Sequence, residues 1–255
     1  MDEALHRLAH AMGRLVAALW WWLAPVRRAV AAENLAAALP GARPAVLRAA
    51  VAQVAAGYLL LLAGRRGRVE GPLPPPGAVA VAGHFSAWDL ALLTGARAVP
   101  VAIFLRPPRF GPARRWIAAV RAQADIWALH PRRSLPAAAA ARHAGRLVVF
   151  VQDLRHNPGR PVPLFGRPAW TSTGLAGFLW DEGAPLWAIT QRFGPDGRLV
   201  VRFTPLRLPE AGSREEAVAR WTAAVQQWLE DEIRRAPESW WWLHDRWRDP
   251  AAPRR

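Results

Sequence analysis

Residues Ala78-Val79-Ala80-Val81-Ala82-Gly83-His84-Phe85-Ser86-Ala87-Trp88-Asp89 decide how this chain is read. Five small or β-branched apolar residues predict a buried strand, and the Gly-His step after them predicts a turn into a helix that starts at Ala87. The turn carries a histidine and, five positions on, a carboxylate. A neutral imidazole can take a proton from a hydroxyl, and a carboxylate can hold the ring and stabilise the resulting imidazolium. Residues five apart on one helix sit about 140° apart at roughly 3.6 residues per turn. His84 and Asp89 therefore converge only if His84 lies in the turn and Asp89 in the first helical turn. The same residues also support a structural reading, with Ser86 as N-cap and Asp89 as the third helical residue of a capping-box variant. One carboxylate can fill both roles.

Working outward, apolar runs alternate with helical stretches. Strands are expected at 78–82, 99–104, 147–151, 186–192 and 199–203, with helices at 87–95, 112–123, 135–144 and 172–181. Such alternation predicts an α/β fold, a central sheet flanked by helices. Gly194-Pro195-Asp196-Gly197 marks a hairpin between the last two strands, so the sheet is expected to be mixed but mostly parallel. Ser213-Arg214-Glu215-Glu216 forms a capping box ahead of a helix whose Val218, Trp221, Val225, Trp228 and Leu229 share a face. The expected organisation is a helical region over 1–63, a Pro/Arg-rich linker over 64–77 and the α/β domain over 78–255.

Composition narrows the partners. The chain has 255 residues, a net charge of +15 and no cysteine. Every basic residue other than histidine is arginine. Such a surface attracts anionic lipid, acidic protein or nucleic acid. Without cysteine there is no disulfide, thiol nucleophile or cysteine-ligated zinc, and the histidines show no metal-ligand spacing, so no metal is expected. A nucleic-acid reading needs basic residues gathered on one groove with aromatics free to stack. Here the charge is spread along the chain and the tryptophan clusters sit near its ends, so no nucleic-acid partner is expected.

Fifteen tryptophans stand against one tyrosine, with triplets at Trp20-Trp21-Trp22 and Trp240-Trp241-Trp242. Three consecutive residues cannot all face one core, so some of these rings are expected at the surface or in lipid. Leu5, Leu8, Met12, Leu15, Val16, Leu19, Leu23 and Val26 recur at helical spacing. The uncharged run 15–26 is too short to span a bilayer and closes on Arg27-Arg28. An interfacial helix anchored by Trp20, Trp21, Trp22, Arg27 and Arg28 is expected, with a packed amphipathic helix as the other reading. The arginines at 65, 66, 68, 109, 114, 115, 132 and 133 are candidates for headgroup or carrier contact.

Six segments in collinear order give the chain a family likeness. Gly83-His84-Phe85 with Trp88 and Asp89 comes first. Leu105-Arg106-Pro107, Gly145 to Gln152-Asp153, and Phe165-Gly166 with Thr171 and Gly174 follow. Gly183-Ala184-Pro185 leading to Arg192, and Pro237-Glu238-Ser239-Trp240 with Leu243-His244 and Trp247, complete the order. Together they resemble the lysophospholipid-type acyltransferases, and among them the late acyltransferases of lipid A biosynthesis. Ser86-Ala87 stands where that family usually has Gly-Asn, and Asp89 where it usually has Glu.

The resemblance implies transfer of a fatty acyl group from a thioester of acyl carrier protein or coenzyme A to a hydroxyl of a membrane glycolipid such as a lipid A precursor. It implies no other cofactor. Acylation of a lysophospholipid or of phosphatidylinositol mannoside is the alternative within the family. His84 would be the general base and Asp89 its partner. Arg106 is the candidate for oxyanion or phosphate contact, and Asp153 would position Arg106 or the acceptor or form a structural ion pair. Phe165, Gly166, Thr171 and Arg192 would shape the substrate site. The implied location is the cytoplasmic face of the inner membrane, peripheral or monotopic. The oligomeric state is left open.

Overall fold

The computed structural model describes residues 2–249 other than 106–114, 117, 120, 123 and 131–133. Three helices come first: α1 (Asp2–Trp22), α2 (Arg28–Ala38) and α3 (Ala45–Leu62). The rest alternates strands with helices: β1 (Arg68–Glu70), β2 (Val79–Ala82), α4 (Trp88–Gly95), β3 (Val101–Phe104), β4 (Ile126–Leu129), α5 (Leu135–His143) and β5 (Leu147–Val151). Then follow β6 (Arg160–Leu164), β7 (Arg167–Thr171), α6 (Gly174–Glu182), β8 (Leu186–Phe193), β9 (Leu199–Pro205), α7 (Arg214–Arg235) and a 3-10 turn at Pro237–Ser239.

Seven strands form one sheet in the order β1-β9-β8-β2-β5-β3-β4. β8, β2, β5, β3 and β4 run parallel, and β9 returns antiparallel to β8 as the Gly194–Gly197 turn predicts. β1 then pairs parallel with β9. The α/β fold with a mixed, mostly parallel sheet flanked by helices is therefore observed.

β2 lies at the centre and is buried along its whole length. Its alternation divides the core. Val79 and Val81 join the cluster containing Phe150, Phe178 and Leu229, whereas Ala80 and Ala82 join the one containing Leu90, Leu93 and Phe203. Alanine on the second side lets α4 lie close against the sheet.

The structure departs from expectation where local cues mislead. The segment expected as a linker supplies the edge strand Arg68–Glu70, held by Arg68 and Glu70 to each other and to Asp196 and Arg202. β6 and β7 form a separate hairpin despite Pro161 and Pro163, because a two-stranded ribbon has unpaired edges where a missing N–H costs nothing. β4 is an edge strand, half exposed and too short to announce itself. The helix expected over 112–123 falls partly outside the described residues; Arg115, Trp116, Ala118, Ala119 and Arg121 are helical. Ser213 caps α7 as expected, accepting from the Glu216 N–H at 3.2 Å. Ser86 does not cap α4: that helix begins after Ala87, which makes no capping bond.

The N-terminal helices pack through small residues. A Cβ on Gly13 would lie 2.5 Å from the Ala52 carbonyl oxygen, so α1 and α3 touch backbone to backbone. Ala9 and Ala17, one turn either side, are buried on the same face. The apolar stripe read from the sequence faces outward. Leu8, Met12, Leu15 and Leu19 are 42–58% exposed, and Trp22, Leu23 and Val26 reach 66–76%. α3 has 18 residues and mean hydropathy 1.8 and, among the described residues, is the one helix long and apolar enough to cross a membrane. It lies against α1, α2 and α4.

This packing makes a prediction. Gly13→Leu should lower unfolding free energy by about 1–3 kcal/mol in denaturant titration, the usual cost of overpacking a close contact. Leu19→Ser on the outward face should change it by less than about 0.5 kcal/mol.

Candidate active site

The parallel register of β2 and β5 builds the site. Ala82 lies beside Val151, and the Gln152 N–H donates to the Ala82 carbonyl at 3.0 Å. Two residues past that pair the chains carry His84 and Asp153. The ring Nδ1 of His84 lies 2.8 Å from Asp153 Oδ1, and the His84 backbone N–H donates to Asp153 Oδ2 at 2.7 Å. The Trp240 indole N–H donates to the same Oδ2 at 3.0 Å. Asp153 is 2% exposed and accepts three hydrogen bonds. Burial disfavours its charged form, but the His84 charge and these bonds outweigh it and hold the carboxyl at about 2. For His84 burial again opposes charge, yet Asp153 first and Asp89 second raise its pKa above the ordinary 6.5. The imidazole proton thus sits on Nδ1, toward Asp153, which leaves Nε2 as the acceptor nitrogen.

Asp89, expected to be the histidine's partner, is engaged elsewhere. It accepts from the Tyr58 hydroxyl at 2.8 Å and from Arg121 at 2.9 Å. The helix explains this: Asp89 is the second residue of α4, where its side chain turns toward α3 and Arg121 rather than back over the turn. Burial and the Asp89 charge keep Tyr58 protonated, its pKa raised well above the usual phenol range.

Neighbouring chains clamp the His84 turn. Ser86 adopts a left-handed φ of 43°, a conformation easy for glycine and uncommon for other residues. It is held by its N–H donating to the Ser239 carbonyl and by its hydroxyl donating to Gln53 at 2.6 Å. Phe85 bridges Trp240, and the Trp241 N–H donates to the His84 carbonyl at 3.0 Å. Gln191, on β8, donates from Nε2 to the carbonyls of Gly83 and Phe85 at 3.1 Å each. Trp88 lies edge-on to the His84 ring at 5.1 Å and Trp241 packs on Trp88 at 5.3 Å. The C-terminal triplet therefore packs around the His84 turn. Trp240 and Trp242 are 0% exposed, and the half-buried Trp241 packs against the same core cluster.

His84 borders a cavity of about 780 Å³ at the carboxyl ends of β2, β3 and β5, the place where open α/β sheets bind ligands. One wall is apolar, with Leu92, Ile103, Val149, Ile189 and Phe203. The polar lining includes Asp89, Arg121 and His244. His244 Nε2 accepts from the Arg155 N–H at 2.9 Å, which places its proton on Nδ1. Burial, then the charges of Arg246, His84 and Arg27, push its pKa down to about 4, so it stays neutral. Tyr58, Arg121, Gln191 and His244 were not among the residues selected from sequence. Only His244, within the closing segment, carried a local signal. Among the described residues, no cluster of three His, Asp or Glu side chains is placed to hold a metal ion.

Phe165, Gly166, Thr171 and Arg192 do not line this cavity. Arg106 falls outside the described residues, as do Arg109, Arg114, Arg132 and Arg133. Phe165 and Gly166 form the tip of the β6–β7 hairpin, with φ of 51° and 68°; a two-residue turn needs left-handed φ at both positions. Phe165 packs against Trp247 and Arg234. Thr171 is buried, accepting from Arg246 at 2.7 Å and donating to the Ala169 carbonyl at 2.8 Å. Arg246, itself 0% exposed, also bonds Trp170 and Gln226; its burial lowers its pKa to about 10. Arg192 points to the opposite face of the sheet, where it pairs with Glu232 at 2.7 Å. Of the N-terminal anchors, Trp20 and Trp21 are half-buried, Trp21 beneath Arg28 and Arg48, whereas Trp22 and Arg27 are exposed.

Comparison with known proteins completes the picture. No curated protein matches the sequence significantly. Among solved structures, the 1-acyl-sn-glycerophosphate (LPA) acyltransferase PlsC from Thermotoga maritima aligns over 93% of this chain and 98% of its own, at 16% identity and a TM-score of 0.39. The family model described as bacterial lipid A biosynthesis acyltransferase matches residues 75–249, which include every residue of the His84–Asp153–Trp240 cluster. The chain therefore belongs to the bacterial lipid A biosynthesis acyltransferase family and is an acyltransferase of lipid biosynthesis.

Proposed function

We propose that the protein moves a fatty acyl group from a thioester, of acyl carrier protein or coenzyme A, to a hydroxyl of a glycolipid such as a lipid A precursor, with His84 as general base. The observation that carries this reading is the buried Asp153 carboxylate on His84 Nδ1, with His84 bordering a cavity that has both apolar and polar lining. Nε2 takes the proton of the acceptor hydroxyl as its oxygen bonds to the thioester carbonyl carbon. Collapse of the tetrahedral intermediate breaks the C–S bond, and the imidazolium returns the proton to the leaving thiolate. No acyl-enzyme is needed: Ser86, two residues after His84, is buried and engaged with Gln53. Asp153 orients the ring and stabilises the imidazolium. The neutral His244 offers its Nδ1–H toward the developing oxyanion, and Arg121, fixed by Asp89, supplies charge for an anionic substrate group. The apolar wall accommodates the acyl chain.

We also place the enzyme at the cytoplasmic face of the inner membrane. The outward row from Leu8 to Val26 on α1 and the loop after it supports this, since an interfacial helix buries such a face in the headgroup–acyl boundary. The basic surface complements anionic headgroups and an acidic carrier protein.

Assay of a labelled acyl thioester with glycolipid acceptor tests the chemistry: His84→Ala should abolish transfer, and full activity in that variant would overturn it. Asp153→Asn should lower kcat by about 10²–10⁴-fold, the scale seen when a base loses its orienting carboxylate. Asp89→Asn should cost less, because Asp89 does not touch the ring. The pH profile carries a sign. The Asp153 charge favours the imidazolium, so wild-type kcat/KM should rise through an acid limb centred above pH 6.5. In Asp153→Asn burial dominates, and the limb should move to lower pH. For the membrane, Leu19→Glu with Leu23→Glu should weaken flotation with anionic vesicles while leaving thermal stability unchanged.

A further inference from the structure

The face of the sheet away from α4 holds a second cavity, of about 300 Å³, between the β8–β9 pair and the C-terminal half of α7. Strand alternation separates it from the acyl-transfer centre. Thr190 and Arg192 of β8 and Arg202 and Thr204 of β9 point to this side, whereas Ile189, Gln191, Val201 and Phe203 line the His84 cavity. Its size is at the small end for ligand sites, suited to a headgroup or small anion rather than an acyl chain.

Its polar lining is rich in donors. Arg192, Arg202 and Arg235 converge on it, and one carboxylate, Glu232, lies among them. Arg192 and Arg235 bond different oxygens of Glu232, which fixes both guanidiniums against α7, and Arg202 pairs with Glu70 at the sheet edge. A guanidinium carries five N–H donors, so each arginine has further donors to offer. The hydroxyls of Thr190 and Thr204 bond no group among the described residues. Thr190 lies opposite Arg202 in the ladder, and Thr204 is the next residue of β9 on that face. Trp228 and Val200 supply an apolar floor that strengthens charge interactions above it.

We propose that this cavity is a binding site for a phosphate-type oxyanion. Arg202, Thr190 and Thr204 donate from the sheet, and Arg192 and Arg235 donate from the side of α7. Donors arriving from two walls match a tetrahedral oxyanion better than a planar carboxylate, which takes a single fork. The phosphate can come from solution or from a phosphomonoester lipid headgroup, and the test has an arm for each.

Titration calorimetry of the full chain with inorganic phosphate, at constant ionic strength, is the first arm. The second measures binding to phosphatidylcholine vesicles with and without phosphatidic acid. The variants are Arg202→Gln and the Thr190→Val/Thr204→Val pair, each checked for unchanged thermal unfolding. Saturable binding of inorganic phosphate, weakened about tenfold in both variants, supports a site open to soluble phosphate. Phosphatidic-acid-dependent vesicle binding with the same variant dependence, and none of inorganic phosphate, supports a headgroup site. Phosphate or phosphatidic acid binding that is unchanged in both folded variants, or no binding in either arm, overturns the proposal.

Discussion

A carboxylate held at 2% exposure by three donors is what the rest of this structure is arranged around. Asp153 cannot stay ionised in that position without partners, since an unpaired buried charge costs several kcal/mol. The partners come from two distant parts of the chain: the ring and backbone of His84 after β2, and the indole of Trp240 beyond α7. Satisfying one carboxylate therefore ties two central strands to the C-terminal segment. The same bonds decide the tautomer and basicity of His84, so folding and the proposed catalysis would share one set of contacts.

The C-terminal segment then closes the domain around that pair. Trp240 and Trp242 fill the core, Arg246 crosses to Trp170, Thr171 and Gln226, and His244 turns into the cavity. Asn34 of α2 donates to the carbonyls of Trp242 and His244 at 2.9 and 2.7 Å, which fastens the N-terminal helices to the same segment. The N-terminal helical region is thus joined, through α2, by direct bonds to the segment that supplies His244 to the cavity. Under the proposed function, this connection would hold the membrane-facing helix and His84 in one frame.

Much of this was legible from residue order. Alternating runs predicted the α/β layers, and the central strands were found within a residue or two, because buried parallel strands read as short continuous apolar runs. His84 and the outward stripe on α1 were legible for the same reason: each is a local pattern. What was missed depends on adjacency. That Asp153 rather than Asp89 meets the imidazole follows from β2 lying beside β5 in a register that sets Ala82 against Val151, which nothing near either residue states. Ser86 looked like an N-cap, but a left-handed backbone turns it toward Gln53. Phe165-Gly166 looked like a substrate wall and is a two-residue hairpin turn. The second tryptophan triplet did not look able to face one core, yet a tight turn, in which the Trp242 N–H donates to the Trp240 carbonyl at 3.1 Å, buries Trp240 and Trp242 and half-buries Trp241 against the same cluster.

The central claim is that Asp153 holds the Nδ1 proton of His84 and leaves Nε2 as the base. Nitrogen-15 NMR of histidine-labelled protein reads this directly. The account predicts a neutral His84 in the Nδ1–H tautomer that protonates with a pKa above 6.5, with both properties lost in Asp153→Asn. A neutral His84 carrying its proton on Nε2, or one whose tautomer and titration are the same in Asp153→Asn, would contradict it.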